Sequence, residues 1–240
     1  MFSLFGKKDK SPKEKPQGGI PPVLLALRET LYTNSSLEPM LARIKEDSKS
    51  VFPWSDFVEA GRAIKGNDKA KAVSLLKQIT DSPGLNTRIY LQAWHTLNSL
   101  GEMPPDALRG QIQGAVIEYY MENGLDIVAA YRDYTARYWN YTGTGIVWET
   151  RDAEIDKAID NLLNVGQEIM KRIGIEQRES PPVPQKGHLR IFLMGYDGSC
   201  FGQGLYDQLS KDQMGGYAIN AAYNLMTALM KKQENSRKGS

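Results

Sequence analysis

The chain predicts an α+β protein in which a helical N-terminal region packs with an antiparallel β-sheet flanked by helices. Three observations carry this. Apolar residues recur at helical spacing from Pro21 to Gly101. From Gly124 to Thr150 the period shortens to two, and Tyr134, Tyr138, Trp139, Tyr141 and Trp148 fall within fifteen residues, a composition that suits a pleated, half-buried surface. The links between these strands are too short for parallel crossovers, so neighbours must be antiparallel.

Residues 1–20, rich in lysine, proline and glycine, hold too little apolar surface to offset the entropy of ordering and read as a disordered basic tail. Phe2, Leu4 and Phe5 beside Lys7, Lys8 and Lys10 add the expectation of a weak contact with a membrane surface. Residues 21–101 read as a helical subdomain. Its five helices start at Pro22, before Leu37, at Ser55 as N-cap, after Gly66-Asn67 and after Asn86, with Gly101 as the final C′ residue.

Met103 to Pro105 marks a boundary, and residues 105–235 read as an α+β antiparallel-sheet domain. Ala115 to Met121 is a strand, Glu122-Asn123-Gly124 is hairpin chemistry, and alternation continues through Tyr131. Turns at Arg132-Asp133 and at Thr142 to Gly145 bound two further strands. Asp152 caps a long amphipathic helix ending at Gly174, and Ser180 to Pro184 is an extended linker. Leu189 to Met194 is a strand, Gly195 to Gly204 is either a loop or an irregular hairpin, and Gly215 to Lys231 is a final helix. The count is five or six strands.

The 240 residues are 41% apolar and 24% charged, ordinary for a globular chain. The net charge of +2 belongs to the tail, because the first sixteen residues carry five lysines against Asp9 and Glu14, which leaves 25 basic and 26 acidic groups for the rest. That is no electrostatic footprint for nucleic acid, and no nucleic-acid partner is expected. Cys200 is the only cysteine, which excludes an internal disulfide and a cysteine-rich metal site and points to the reducing cytoplasm. No apolar run approaches the roughly 20 residues that span a bilayer, so no integral membrane association is expected. Two histidines 93 positions apart, with no clustered carboxylates, leave no metal site, and no cofactor motif is present.

The segment from Gly195 to Gly204 places Asp197, Ser199 and Cys200 among Gly195, Gly198, Gly202 and Gly204, and such glycines let a backbone approach a ligand closely. Asp197, Ser199, Cys200, Gly202 and Gly204 are therefore the candidate ligand-binding residues. The segment lacks the Lys-Ser/Thr of a phosphate loop and the third glycine of a dinucleotide fingerprint. Cys200 with His188 or His95 would be a nucleophile and base, but an extended strand separates Cys200 from His188. Arg137, Trp139 and Tyr141 alternate with Ala136, Tyr138 and Asn140; if the helix after Asp152 covers the latter, the former make an outward patch of interface composition. The competing arrangement covers that second face with the N-terminal helices.

Over Gly124-Leu125-Asp126-Ile127-Val128-Ala129-Ala130-Tyr131, Ala136-Arg137-Tyr138-x-Asn140, Phe201-Gly202-x-Gly204, Asp212 and Gly215-Gly216, the sequence resembles a bacterial protein family without assigned activity. That resemblance covers roughly the last 150 residues and implies a bacterial cytosolic protein, and it brings no activity, cofactor or catalytic residue with it. Helix, hairpin with a Gly-Leu turn and later helices on an antiparallel sheet are similar to roadblock or profilin-type modules, from which the two extra strands before Asp152 depart. The expected function is a non-enzymatic protein-interaction or ligand-sensing module, forming a homodimer or binding a protein partner. The alternative is an enzyme centred on Gly195 to Gly204.

Overall fold

The computed structural model describes residues 19–176 and 181–238. The expected basic tail therefore lies almost wholly outside the described residues, as does Ser180 of the linker. Among the described residues are eight α-helices and one six-stranded antiparallel sheet.

The sheet is built from β1 (Ile112–Met121), β2 (Gly124–Tyr131), β3 (Ala136–Trp139), β4 (Gly145–Trp148), β5 (His188–Gly195) and β6 (Gly198–Leu205), in the order β4-β3-β2-β1-β5-β6. Two-residue turns close the β1–β2 hairpin, where Met121 pairs with Gly124, and the β5–β6 hairpin, where Gly195 pairs with Gly198. Gly124 sits at φ 129°, as the tight turn demands. The glycine-rich segment thus resolves into a regular hairpin. Small residues in β6 sit opposite large ones in β5, Gly202 against Ile191 and Gly204 against Leu189, so the partner strand supplies the side-chain bulk that β6 lacks.

Strand alternation sorts the apolar residues onto two faces. Ile117, Val128, Ala130, Leu189, Ile191 and Leu193 share one core with α6 (Ala153–Ile173) and α8 (Gln213–Lys238). α6 has its N-cap at Asp152, whose carboxylate accepts from the Glu154 and Ile155 amides. A side chain at Gly166 would sit 2.5 Å from Ile112 Cδ1 and 3.0 Å from Leu193 Cδ2, so glycine there lets α6 lie directly on the sheet. α8 starts two residues before the expected Gly215, because Asp212 Oδ1 accepts from the Met214 and Gly215 amides.

On the opposite face Val116, Tyr120, Ile127, Tyr131 and Phe192 pack under α1 (Pro22–Tyr32), which contributes Leu24, Leu31 and Tyr32. The sheet is therefore covered on both sides. The remaining N-terminal helices are α2 (Leu37–Leu41), α3 (Trp54–Lys65), α4 (Lys69–Asp81) and α5 (Thr87–Ser99), and they enclose a third core around Phe57, Leu76, Ile79, Trp94 and Leu97. Here the local chemistry differs from expectation at two starts. α3 begins at Trp54 with Pro53 in the cap position instead of Ser55, and α4 is capped by Asp68, which accepts from the Lys71 amide, instead of Asn67. A 3-10 turn at Glu46–Ser50 had no sequence signal. The helical part is tied to the sheet by Asp133, whose carboxylate accepts from the Thr87 amide at 2.7 Å and from Thr135, and by Asn98, which donates to the Tyr196 carbonyl at 2.8 Å. α7 (Tyr206–Leu209) is a single turn after β6.

Candidate functional site

The hairpin geometry separates the residues singled out in Gly195 to Gly204. Asp197 lies in the turn and accepts from the Gly110 amide at 2.8 Å. Ser199 faces the α1 side with Phe201, while Cys200, paired with Leu193, is buried in the core under α6 and α8. Gly202 and Gly204 stay in the ladder opposite Ile191 and Leu189. These residues do not converge. His188 pairs with Leu205 at the far end of the hairpin, so along the strands it stands five positions from the Leu193–Cys200 pair. His95 does line a small cavity with Ser199, Tyr32, Thr33, Asn34 and Asn98, but its volume of about 20 Å³ holds little more than one water.

The expected outward patch is closed as well. α1 and its neighbours cover that face, and Arg137 is 3% exposed, with Nη1 donating to the Ala136 and Trp148 carbonyls at 2.8 and 2.9 Å and Nη2 to Glu149. Burial, with the nearby Arg88 charge, lowers its pKa below the ordinary arginine value. Trp139 is half-buried against the α1-side core, and of the three only Tyr141 is exposed.

Two other constellations stand out, neither visible as a sequence motif. The first is a fully buried charge cluster between α1 and the sheet. Glu118 of β1 accepts from Arg28 Nε, from Arg28 Nη2 at 3.2 Å and from Arg190 Nη1 at 2.9 Å. Arg190 also donates to Gln203, and the two guanidinium groups reach the Pro181 and Pro182 carbonyls. Burial works against the Arg28 charge, but Tyr32, Glu118 and Glu29 outweigh it and hold its pKa above the ordinary value. All three ionic residues are at most 2% exposed, and the cluster acts as a clamp joining α1, β1, β5 and β6.

The second is an open cleft of about 670 Å³ between the α4–α5 pair and residues 103–109, with Tyr196 of the β5–β6 turn in its lining. Its lining includes the buried Trp94 and Pro104, the half-buried Tyr90, Tyr196 and Leu108, and the more exposed Met103, Pro105 and Asp81. The Trp94 and Tyr196 rings lie 6.4 Å apart with planes 37° from parallel. On the rim, Lys77 pairs with Glu102 at 3.0 Å, and Arg109 pairs with Asp106 at 2.9 Å and donates to the Pro104 carbonyl. The Tyr90 hydroxyl donates to the Ser82 carbonyl and accepts from the Leu85 amide. Burial, reinforced by Tyr90 and Asp133, pushes the Tyr196 phenol up to about 12, so it is neutral at any physiological pH. Tyr90 and Trp94, one helical turn apart on α5, were the sequence's trace of this lining.

Among the described residues no group of His, Cys, Asp or Glu is arranged to hold a metal ion, and no helix is long and apolar enough to cross a membrane. Comparisons with family models, curated proteins and solved structures gave no match. The chemistry of the cleft is therefore read from its own residues.

Proposed function

We propose that the chain is a non-catalytic binding module whose cleft takes a ligand presenting an aromatic or proline face, free or as part of a polypeptide. The observation that carries this is a lining of Tyr90, Trp94, Tyr196, Pro104 and Pro105 in which Lys77, Asp106 and Arg109 are engaged in ion pairs, with Asp81 the further charge. Ligand pockets of this size are ordinarily apolar with few polar groups, and rings give contact area at little entropic cost. Catalysis would need a nucleophile or base aimed into the space, and Asp197, Ser199 and Cys200 point three different ways. The single cysteine supports a reducing, cytoplasmic setting.

Amide chemical-shift mapping with an aromatic fragment set and proline-containing peptides tests the reading. Binders should perturb the Trp94 indole, Tyr196 and Arg109 together. Met103→Glu, at a side chain 48% exposed, places a charge on the cleft wall without touching the core, and should weaken binding at least about 10-fold. Binders mapping elsewhere, or indifferent to Met103→Glu, would remove the cleft from consideration.

A further inference from the structure

The charges lining the α5 cleft do not balance. Lys77 is held by Glu102 at 3.0 Å and Arg109 by Asp106 at 2.9 Å. Asp81 is exposed, and among the described residues its carboxylate has no ion pair or hydrogen bond. The cleft therefore has one carboxylate in excess, and both of its cations are already paired.

Two further features give the space the same sign. Asp81 is the last residue of α4, and the C-terminal end of a helix carries the negative pole of its dipole. No basic residue stands in the last turn of α4 to offset it. Tyr90, Trp94 and Tyr196 also line the cleft, with the Trp94 and Tyr196 rings 6.4 Å apart, and the faces of such rings attract cations. An anion entering here would find Lys77 and Arg109 neutralised and Asp81 repelling it. A neutral apolar group would use the rings alone. An ammonium or guanidinium gains from the carboxylate, the helix end and the rings together.

The cleft is open, so a ligand in it need not be enclosed, and aromatic-lined grooves are the sites that take extended proline segments. Resting on the reading of the cleft as a site for an aromatic or proline face, we propose that its ligand is a proline-containing polypeptide segment whose lysine or arginine side chain is seated against Asp81. The rings and prolines of the lining hold the apolar face of the segment, and Asp81 selects the sign of the charge beside it.

Chemical-shift titration of the full chain with acetyl-Pro-Pro-Arg amide, its Gln counterpart and its Glu counterpart reads that sign. The arginine peptide should shift the Trp94 indole and Tyr196 and should bind at least about 5-fold more tightly than the glutamine peptide, with the glutamate peptide weakest. Asp81→Asn alters an exposed side chain that holds nothing in place, so the fold is kept, and it should remove most of the arginine preference while leaving the glutamine peptide's affinity unchanged. Benzylamine, a free cation with one ring, should bind more weakly than the arginine peptide. Equal affinities for the three peptides at the cleft, or a preference that Asp81→Asn does not reduce, overturn the cation assignment and leave the cleft as a site. Peptides and aromatic fragments that all fail to shift Trp94 and Tyr196 overturn both readings, and benzylamine binding more tightly than the arginine peptide overturns the polypeptide as the source of the cation.

Discussion

Replacing Glu118 by Gln should be among the most damaging single changes the chain can take, although it alters one atom. Glu118 is fully buried and, among the described residues, its carboxylate is the only anion bonded to both Arg28 and Arg190. A glutamine oxygen can accept from one guanidinium, but its NH₂ group must face the other, which leaves Arg190 with carbonyl and amide partners and Arg28 with the more exposed Glu29 carboxylate at 3.3 Å besides its carbonyl and hydroxyl partners. Removing one member of a buried ion pair costs about 3–5 kcal/mol, and a carboxylate shared by two arginines belongs at the upper end. With a urea dependence of about 3 kcal/mol per molar, the unfolding midpoint should fall by roughly 1.3–1.7 M. Tryptophan fluorescence reports it, since Trp139 packs into the same side of the sheet. The triple change Arg28→Met, Glu118→Leu, Arg190→Met removes every charge while keeping bulk and should cost far less than the single one. If Glu118→Gln unfolds within about 1 kcal/mol of wild type, or if the triple variant is as damaged as the single, uncompensated charge is not what the cluster controls.

Two further expectations concern pH. Asp126 accepts from the Tyr141 amide and the Tyr138 hydroxyl, yet burial raises its pKa above the ordinary carboxylate value. Its protonated form is favoured by the fold, so that contribution is full below the unfolded value of about 3.9 and is lost as pH rises through the folded value. Asp126→Asn should be at least as stable as wild type at pH 7 and should lose stability more steeply on acidification, since it lacks the gain that protonating Asp126 supplies; a clearly destabilised variant at pH 7 would mean that the ionised carboxylate is preferred. The Tyr32, Tyr119 and Tyr131 phenols are also raised by burial, and Tyr196 reaches about 12. Their contribution is intact below the unfolded value of about 10 and disappears above it, so ultraviolet titration should show these tyrosines ionising together with loss of circular dichroism. Ionisation of the whole set near pH 10 with the fold intact would contradict it.

How far the sequence could be read depends on how far apart the relevant residues lie along the chain. Glu122-Asn123-Gly124 announced a hairpin because its chemistry is local, and the stripe Ile155, Ile159, Leu162 announced α6 in the same way. β6 was ambiguous because Gly198, Gly202 and Gly204 carry no strand preference of their own; the bulk that holds them is on β5. Glu118 and Arg190 sit opposite each other in the β1–β5 register but 72 positions apart in sequence, and each alone reads as the solvent side of a strand. The cleft draws on α4, α5, residues 103–109 and Tyr196, so only its Tyr90–Trp94 spacing was legible.

Coverage of both sheet faces links these features. An antiparallel sheet with one wet face can leave its alternate polar residues in water, and that is the arrangement under which Arg137, Trp139 and Tyr141 form an outward patch. Once α1 lies on that face, every polar residue on it needs an internal partner. Glu118 and Arg190 find Arg28 on the incoming helix and Gln203 on the neighbouring strand, and Arg137 finds backbone carbonyls and Glu149 at the sheet edge. Glu118 thereby docks α1, while Arg137 is held within the sheet edge, and Arg190 Nε and Trp139 Nε1 stay buried without a partner among the described residues. Surface available for recognition must then come from the layers outside the sheet, which is where the cleft beside α5 is found.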